Sequence, residues 1–415
     1  MTISSTPGCR FCGELLTTTL VDLGETPLAN SYLTQADIVA GRDARYPLHA
    51  RVCGACFLAQ VDDVAAPEAI FSDYAYFSSF ATSWVEHARR YAEAMIARLR
   101  LGQHSLVVEI ASNDGYLLQH FIAAGVPSLG VEPAANVAAA AIAKGVPTEV
   151  AFFGRATARR LVETGVRADL IAANNVLAHV PEIEDFVAGF ALLLKSEGVA
   201  TFEFPHLLNL IREAQFDTIY HEHFSYLSLL AVETIFAAAG LRVFDVEELP
   251  THGGSLRIYV CRAESSRGET NQLMALRLRE HEAGLDSLSA YRGFAPRVEA
   301  AKRSFRAFLD RARAEGKSVA AYGAAAKGNT FLNVCGVTSA DIVCVFDRST
   351  AKQGKFLPGS HIPILAPERI EEIKPDYLVV LPWNLIEEIR RNMASIAQWG
   401  GRFVVATPET RVLAP

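Results

Sequence analysis

The sequence predicts an α/β protein of three regions, and three observations carry this prediction. Four of the seven cysteines lie before residue 57. Short apolar runs alternate with helical segments from residue 105 onward, as in the βαβ units of a parallel sheet. A second, shorter alternation follows residue 317. We therefore expect a cysteine-bearing N-terminal module, a central Rossmann-like sheet and a smaller C-terminal α/β sheet.

Length and composition agree with this division. The chain has 415 residues, enough for two or three domains at about 150 residues each. Half the residues are hydrophobic and 20% are charged, which is a typical globular balance. The net charge of −7 offers no basic field for a nucleic acid, and no apolar run is long enough to span a membrane. The N-terminus lacks the pattern of a signal peptide, so we expect a cytoplasmic protein.

The predicted boundaries follow changes of pattern along the chain. Residues 1–65 are short-stranded and rich in turns, whereas residues 66–265 begin with aromatic residues and a helix and continue with the first alternation. Residues 266–312 are polar and predicted to form a helical linker, and residues 313–415 carry the second alternation. The segments FVAGFALLLKSEG and NLIEEIRRNMASIAQWG are each predicted to form one helix. Because the linker is helical, we expect the two larger sheets to pack against each other.

The early cysteines form two CxxC pairs, Cys9 with Cys12 and Cys53 with Cys56. Each pair lets two thiolates reach one ion, and two pairs complete the tetrahedral four-sulfur site of a structural zinc ion. The 40 residues between the pairs exceed the spacing of common zinc ribbons, and a redox CxxC is the alternative. The presence of two such pairs in a cysteine-poor chain favours structural zinc.

The loop after the first central strand differs from a dinucleotide site. In VVEIASNDGYLL the one glycine is Gly115, so the loop is not GxGxxG. Its acidic and hydroxyl side chains suit a cationic ligand, and Glu132 after the second strand can bind ribose hydroxyls; together they indicate S-adenosylmethionine (SAM), with a plain strand–turn–helix as the alternative. We expect Asp114 at the amino-acid moiety and Phe152 and Phe153 around the adenine. The candidate cofactor-binding residues are Glu109, Ser112, Asn113, Asp114, Glu132, Phe152, Phe153 and Asn174.

Histidines and tyrosines cluster beyond the strand ADLIAANNVL. NNVLAHVP contains His179, and DTIYHEHFSYLS contains Tyr220, Glu222 and His223. His221 and His223 are two residues apart and do not form the HExxH pattern of a metalloprotease. An imidazole with a pKa near neutrality suits abstraction of a proton beside a carbonyl group, and a tyrosine hydroxyl can stabilise the resulting enolate. At least one histidine here is expected to be an ordinary hydrogen-bonded core residue.

The ordered set of motifs resembles the sugar C-methyltransferases that act on nucleotide-linked 4-keto-6-deoxy sugars. The resemblance runs essentially from end to end, through CRFC…CGAC, LGETPLANSYL, FSDYAYFSS, VVEIASNDGYLL, GVEP, AANNVLAHVP, YHEHFSYLS, LPTHGGSLR, YGAAAKGNT and PWN. It implies a zinc-binding module, a central SAM methyltransferase domain and a C-terminal domain that binds the nucleotide sugar. Two positions depart from the pattern: Ala111 stands where a glycine is typical, and His221 replaces an acidic residue.

The resemblance also implies roles for individual residues. His223 is the general base that removes a proton from the carbon beside the ketone, and the carbanion then attacks the methyl group of SAM. The other residues around the keto sugar are Tyr220, Glu222, His179 and Tyr76. The nucleotide, with TDP favoured, has its diphosphate near Lys327 and Asn329. The candidates for substrate binding are Lys327, Asn329, His252, Trp383 and Asn384.

Three alternatives stay open from the residues. An O- or N-methyltransferase would share the cofactor site but needs no carbon acid. A binding or scaffold protein could carry a degenerate SAM fold. A nicotinamide oxidoreductase using the YGAAAKG loop would lack GxGxxG. We expect a monomer without nucleic-acid or membrane partners, and the sequence leaves the methylated carbon undetermined.

Overall fold

The computed structural model describes residues 7–64, 77–80 and 82–413, and its strands form three sheets. These are a four-stranded sheet near the N-terminus, a seven-stranded central sheet and a six-stranded C-terminal sheet. The predicted α/β fold is confirmed. Within the described residues, we find no helix with the length and apolar character needed to cross a membrane.

The elements have the following bounds. The strands are β1 (Thr18–Pro27), β2 (Arg45–Val52), β3 (Ala59–Val61), β4 (Val107–Ile110), β5 (Ser128–Val131), β6 (Thr148–Glu149), β7 (Ala168–Asn174), β8 (Leu194–Pro205), β9 (Ser225–Tyr226), β10 (Leu241–Leu249), β11 (Ser255–Arg262), β12 (Val319–Tyr322), β13 (Val345–Phe346), β14 (Ile364–Leu365), β15 (Tyr377–Val380), β16 (Arg402–Val405) and β17 (Arg411–Leu413). The helices are α1 (Gln35–Val39), α2 (Thr82–Leu99), α3 (Leu118–Ala123), α4 (Ala135–Ala143), α5 (Arg155–Glu163), α6 (Ile183–Leu193), α7 (Leu207–Arg212), α8 (Leu229–Ala238), α9 (Asn271–Glu282), α10 (Phe294–Ala314), α11 (Ala326–Val334), α12 (Ile370–Ile373) and α13 (Ile386–Asn392).

The N-terminal sheet is antiparallel and takes its fourth strand from the central region. Its order is β1–β2–β3–β9, and β9 joins through the pairing of Tyr226 with Ala59. Buried residues alternate along β2, where Leu48, Ala50 and Val52 face the core. Because β9 directly follows the YHEHF motif, the N-terminal sheet lies beside that motif.

The central sheet has the order β10–β11–β8–β7–β4–β5–β6. Its neighbouring strands are parallel, except that β11 runs antiparallel to β8 and β10. All four residues of β4 are buried, as expected of a parallel strand covered on both faces. The carboxyl ends of the parallel strands meet at one edge, which is where doubly wound sheets bind ligands.

The boundary between α6 and β8 differs from the prediction. The helix predicted through FVAGFALLLKSEG ends at Leu193, and β8 begins at Leu194. Leu194 adopts an extended conformation (φ −65°, ψ 138°) and pairs with Ala168 of β7. Pairing within the sheet therefore overrides the helical pattern of the last residues.

The C-terminal sheet has the order β14–β13–β12–β15–β16–β17 and is parallel apart from β17. The segment NLIEEIRRNMASIAQWG forms α13 between two 3-10 helices, Trp383–Leu385 and Ala394–Trp399, rather than one helix. Met393 interrupts it with a non-helical backbone (φ −111°, ψ 23°), and its side chain packs into the core under the sheet. Tertiary packing again decides where the helix ends.

One hydrophobic core joins the three regions. It contains Leu48 of the N-terminal sheet, Phe216 of the central region, Phe305 of α10 and Val345 of the C-terminal sheet. The segment predicted as a linker contains α9 and most of α10, and α10 buries an apolar stripe in this shared core. The linker helix and the N-terminal strands therefore take part in joining the two larger sheets.

Candidate active site

The four cysteines of the CxxC pairs converge at one point. Their sulfur atoms all lie within 4.8 Å of one another, with 3.6 Å between Cys9 and Cys56 and 3.4 Å between Cys12 and Cys53. A tetrahedral zinc ion with Zn–S bonds of about 2.3 Å needs sulfur separations of roughly 3.8 Å. Gln60 Nε2 donates a hydrogen bond to Cys9 Sγ at 3.2 Å, which supports a thiolate ligand. The donor set fits a structural zinc ion.

The loop between β4 and α3 has an unusual backbone. Ala111 and Asn113 adopt left-handed conformations with φ of 56° and 49°, and Gly115 has φ of 78°. A Cβ on Gly115 would lie 2.8 Å from Val146 Cγ2, so a side chain there would be both strained and crowded. Ala111 takes the left-handed conformation at the position where a glycine is typical, which costs backbone strain at a predicted ligand site.

Two buried acceptors at the carboxyl edge are poorly satisfied by protein donors. Neither carboxylate oxygen of Glu109 on β4 accepts an ordinary hydrogen bond from the described residues, and Glu109 has no solvent exposure. Burial raises the pKa of Glu109 well above its usual value, and the nearby Tyr116 hydroxyl opposes this. Asn174 Oδ1, at the end of the neighbouring strand β7, is equally without a partner. Unsatisfied buried acceptors require donors, so the pair fits the ammonium group of a bound ligand.

The other predicted carboxylates hold the loop itself. Glu132 accepts hydrogen bonds from the backbone N–H groups of Asn113 and Ala134, each at 2.9 Å. Asp114 accepts from Lys144 Nζ at 2.9 Å and from the Ser79 hydroxyl, while its Oδ1 has no partner among the described residues. Two predicted contacts with S-adenosylmethionine stay predictions: that of Asp114 with the amino-acid moiety and that of Glu132 with the ribose.

Ser112 and the two phenylalanines lie in contrasting environments. Ser112 is buried against Gly130 of β5, where a Cβ would clash with its hydroxyl. Phe153 packs edge-on against Phe186 and Phe190 in the core, with a ring separation of 5.1 Å to Phe190. Phe152 is 43% exposed, so its ring is the one open to a ligand. Adenine binding between both rings stays a prediction.

His223 is held in one tautomer. Its Nδ1–H donates to the Thr218 carbonyl oxygen at 2.8 Å, because a carbonyl can only accept. Its Nε2 accordingly accepts from the Tyr220 hydroxyl at 2.7 Å. Burial lowers the pKa of His223 well below its usual value, and His179 and Lys327 add to this. The ring is therefore neutral, with a lone pair on Nε2.

The residues close to His223 in space or in sequence face different parts of the molecule. His179 lies with its ring centroid 4.6 Å from that of His223, donates from Nδ1 to the Glu222 carbonyl oxygen, and has its pKa lowered by burial to about 4. The Glu222 carboxylate accepts from Asn30 Nδ2 at 2.8 Å, and burial raises its pKa to about 7. His221 Nε2 faces the Pro47 carbonyl oxygen at 3.1 Å. Glu222 and His221 thus face the N-terminal module.

The predicted substrate-binding residues come mainly from the C-terminal region. Lys327 Nζ lies 4.9 Å from the Trp383 ring centroid and donates to Asn384 Oδ1 at 3.2 Å. Burial lowers the pKa of Lys327, and Asp217 opposes this. Asn329 is buried in α11, and its Nδ2 has no partner among the described residues.

His252 contributes from the loop after β10. Its backbone is left-handed (φ 55°), and burial together with the charge of Lys327 lowers its pKa to about 4. The charge of Lys327 therefore lowers the pKa of both His223 and His252. Tyr76 lies outside the described residues, so its predicted contact with the sugar stays a prediction.

Sequence reasoning missed an aromatic group between the two predicted sites. Trp84 of α2 stacks on His87 with ring centroids 4.9 Å apart and lies 6.0 Å from Tyr116 and 5.5 Å from His252. Tyr116 belongs to the cofactor loop and His252 to the substrate side. The aromatic run before α2 was the available signal, but nothing in it indicated which rings turn inward.

Sequence reasoning also missed two buried carboxylates. Glu203, near the end of β8, accepts hydrogen bonds from Arg257 at 2.7 Å and from Thr251 at 3.0 Å. It also forms a hydrogen bond with His87 Nε2 at 2.9 Å. An acidic residue inside the apolar strand VATFEFP was a visible signal. Asp217 accepts from Trp383 Nε1 at 2.7 Å, and no local pattern marks this contact across the fold.

Comparison with known proteins covers all three regions. The family model "Putative zinc binding domain" matches residues 9–71, "Methyltransferase domain" matches 84–246, and "C-methyltransferase C-terminal domain" matches 250–408. The C-methyltransferase NovU of Streptomyces niveus is 37% identical over 405 residues, which cover 98% of this chain and 96% of NovU. The zinc-binding model and the sulfur cluster together confirm the predicted zinc site.

Solved structures resemble part of the chain at low identity. Magnesium protoporphyrin IX methyltransferase from Synechocystis PCC 6803 with bound SAH is 15% identical, covers 43% of this chain and 83% of its own, and gives a TM-score of 0.35. The CcbJ methyltransferase from Streptomyces caelestis is 13% identical, covers 42% and 89%, and gives a TM-score of 0.34.

Proposed function

The chain belongs to the C-methyltransferase family, and from that premise we propose that it methylates a carbon beside the ketone of a nucleotide-linked 4-keto-6-deoxy sugar, with TDP as the favoured nucleotide. The family membership confirms the predicted SAM-dependent C-methyltransferase activity. The sugar, the nucleotide and the roles of individual residues are what we add here.

One observation carries the proposal: a neutral, buried imidazole lies within electrostatic range of a lysine. The Nε2 lone pair of His223 accepts from the Tyr220 hydroxyl, and the charge of Lys327 contributes to the low pKa of His223 and of His252. A carbon acid beside a ketone needs such a base together with nearby groups that stabilise negative charge on oxygen. An O- or N-methyltransferase would share the cofactor site but needs no carbon acid, so the position of the new methyl group distinguishes the two.

The proton transfer follows from the hydrogen bonds of His223. Nε2 takes the proton from the substrate carbon, and the electron pair moves onto the ketone oxygen. The Nδ1–H bond to Thr218 then stabilises the imidazolium. The Tyr220 hydroxyl, which contacts Nε2 at 2.7 Å, is placed to donate to the enolate oxygen instead. His179 and Lys327 oppose the imidazolium, and the Nδ1–H bond to Thr218 favours it.

The methyl donor would be held at the central loop. Glu109 and Asn174 supply buried acceptors for its ammonium group, and the left-handed loop from Ala111 to Gly115 presents the backbone at close range. When bound, S-adenosylmethionine supplies an electrophilic methyl group. Trp84 lies between Tyr116 of this loop and His252 of the proposed substrate side.

The proposal is tested by solvent exchange and by the product. In deuterium oxide, the wild-type enzyme should exchange the proton beside the ketone of a TDP-4-keto-6-deoxy sugar, and with SAM it should place a methyl group on carbon. His223→Ala should lower both rates by about 10²–10⁴-fold, the usual contribution of a general base. His221→Ala is the matched control, because His221 faces the Pro47 carbonyl rather than the pocket. Exchange by His223→Ala at the wild-type rate, or an O–CH3 signal in the product NMR spectrum, would contradict the proposal.

A further inference from the structure

Asp217 is a buried carboxylate outside the predicted site. It lies in the 3-10 helix Phe216–Thr218, directly before the Thr218 carbonyl that holds His223. Its side chain has 1% exposure; Oδ2 accepts from Trp383 Nε1 at 2.7 Å, and Oδ1 has no partner among the described residues. A carboxylate in the central region is therefore joined to an indole of the C-terminal region, inside the protein.

Trp383 packs against the backbone of Gly253, at a position where a side chain would not fit. Gly253 of the THGG loop has φ of 90°, and a Cβ built on it would clash with the Trp383 ring. Only glycine meets both requirements at low cost. The indole is thus fixed by its hydrogen bond to Asp217 and by contact with the Gly253 backbone.

The face of the same indole meets Lys327. The Lys327 ammonium lies 4.9 Å from the Trp383 ring centroid and 3.2 Å from Asn384 Oδ1. The titratable groups that act on it from the packed elements are Asp217, His223 and His252. Of these three, both histidines are neutral, so Asp217 is the one that supplies negative charge.

We infer that Asp217 is a positioning residue: it fixes Trp383 of the C-terminal region and supplies the counter-charge that holds the Lys327 ammonium ready for the phosphate oxygens of the substrate. This inference rests on the proposed nucleotide-sugar substrate. Asp217 acts through two other side chains, Trp383 and Lys327.

The energetics of burial explain why such a residue is needed. Burial lowers the pKa of Lys327 and raises the pKa of Asp217, and each charge opposes the effect of burial on the other. A buried ammonium that loses its counter-charge gives up its proton more readily. A neutral amine would keep its place but lose most of its attraction for a diphosphate.

Asp217→Asn tests the charge of the side chain separately from its hydrogen bond to Trp383. Asn Oδ1 can still accept from Trp383 Nε1, so the substitution removes the counter-charge and leaves the indole in place. The KM for the TDP-sugar should rise roughly tenfold, the equivalent of one pKa unit, while kcat changes little. The basic limb of the kcat/KM profile should move to lower pH, because Lys327 would lose its proton earlier. A purely structural role of Asp217 would not move this limb.

Two further variants keep the inference testable. Asp341→Asn is the matched control, since its carboxylate is also buried but pairs with Arg306 and Arg313 at the far side of the C-terminal region; it should lower stability without changing KM. Trp383→Phe keeps a ring face over Lys327 but removes the N–H donor. It should raise KM by a smaller factor than Asp217→Asn, and it provides the readout if Asp217→Asn does not fold.

A double-mutant cycle with Lys327→Met decides the outcome. If Asp217 acts through Lys327, adding Asp217→Asn to Lys327→Met should raise KM no further. A full additional increase would overturn the inference, as would a wild-type pH profile for Asp217→Asn. If Lys327→Met itself leaves KM unchanged, the proposed diphosphate site fails, whereas an effect of Lys327→Met without one of Asp217→Asn overturns the Asp217 inference alone.

Discussion

The central and C-terminal sheets share one plan but place different ionisable groups near the corresponding loop. In each, a parallel strand (β4 or β12) leads through a loop into a helix, at the edge where doubly wound sheets bind ligands. The central sheet places the buried carboxyl group of Glu109 beside this loop, and the C-terminal sheet places the amine of Lys327 just after it. We propose that the topology sets where a ligand binds and that these side chains select its charge.

The parallel extends to the carboxylate after the second strand of each sheet. Glu132 accepts from the backbone N–H of Asn113 in the first loop, and Asp347 accepts from that of Ala324 at 2.7 Å. Asp347 Oδ1 also accepts from the Ser349 N–H at 2.8 Å. In both sheets this carboxylate is thus engaged by backbone N–H groups and holds the first loop in place.

The largest expected effect tests whether the zinc module supports both sheets. Cys53→Ser removes a zinc ligand, and we expect loss of bound zinc and a stability loss on the order of several kcal/mol. Cys261→Ser is the matched control, because Cys261 is as fully buried as Cys53 but lies far from the cluster in strand β11. It should retain zinc and lose about 1 kcal/mol. Metal analysis and thermal unfolding measure both; an unchanged melting temperature in zinc-free Cys53→Ser would break this part of the comparison.

The next effect concerns the place where the N-terminal module meets the YHEHF motif. Burial raises the pKa of Glu222 from 4.5 to about 7, so the folded state binds a proton more tightly than the unfolded state. The group therefore costs stability as pH rises through this window, up to about 3 kcal/mol above pH 7.

Glu222→Gln should remove that dependence. Its unfolding free energy in urea should exceed that of the wild type increasingly between pH 4.5 and 7, the two pKa values of Glu222. Glu248→Gln, at a surface pair with Arg279, serves as the control and should follow the wild-type curve. Parallel curves for Glu222→Gln and the wild type would show that Glu222 is ionised in the folded protein at no cost.

A smaller effect on ligand affinity should distinguish two buried carboxylates of the central sheet. Glu109 and Glu203 are both fully buried, but Glu203 is paired with Arg257 and His87. Glu109→Gln should weaken binding of S-adenosylhomocysteine by about 2 kcal/mol, or roughly thirtyfold, with little loss of stability. Glu203→Gln should lower the melting temperature and leave the affinity nearly unchanged. Calorimetry that finds equal affinity losses in the two variants would contradict the distinction.

The sequence predicted the parts of this molecule that local pattern determines. Alternating apolar runs identified both large sheets. The spacing of Cys9, Cys12, Cys53 and Cys56 identified the zinc site, where the four sulfur atoms converge. Pattern could not predict that β9 completes the N-terminal sheet, because two residues carry no periodicity and the pairing is set by tertiary packing.

The candidate site was predicted less completely than the fold. Residue type and position indicated the cluster of histidines and tyrosines and the acidic loop, and the family resemblance singled out His223 as the base. The opposite directions of Glu222 and His223, and the contact of Asp217 with Trp383, depend on long-range packing. Neighbouring residues on an irregular segment have no fixed period, so their directions do not follow from spacing.

The proposed division of charge between the two sheets is tested most directly by measuring the affinity of two variants for both ligands. Glu109→Gln and Lys327→Met would each be titrated by calorimetry with S-adenosylhomocysteine and, separately, with TDP. We predict that Glu109→Gln weakens the first ligand alone and that Lys327→Met weakens the second alone, each by at least about tenfold. Loss of the same ligand by both variants, or of neither, would contradict the claim that one sheet receives the cationic donor and the other the anionic nucleotide.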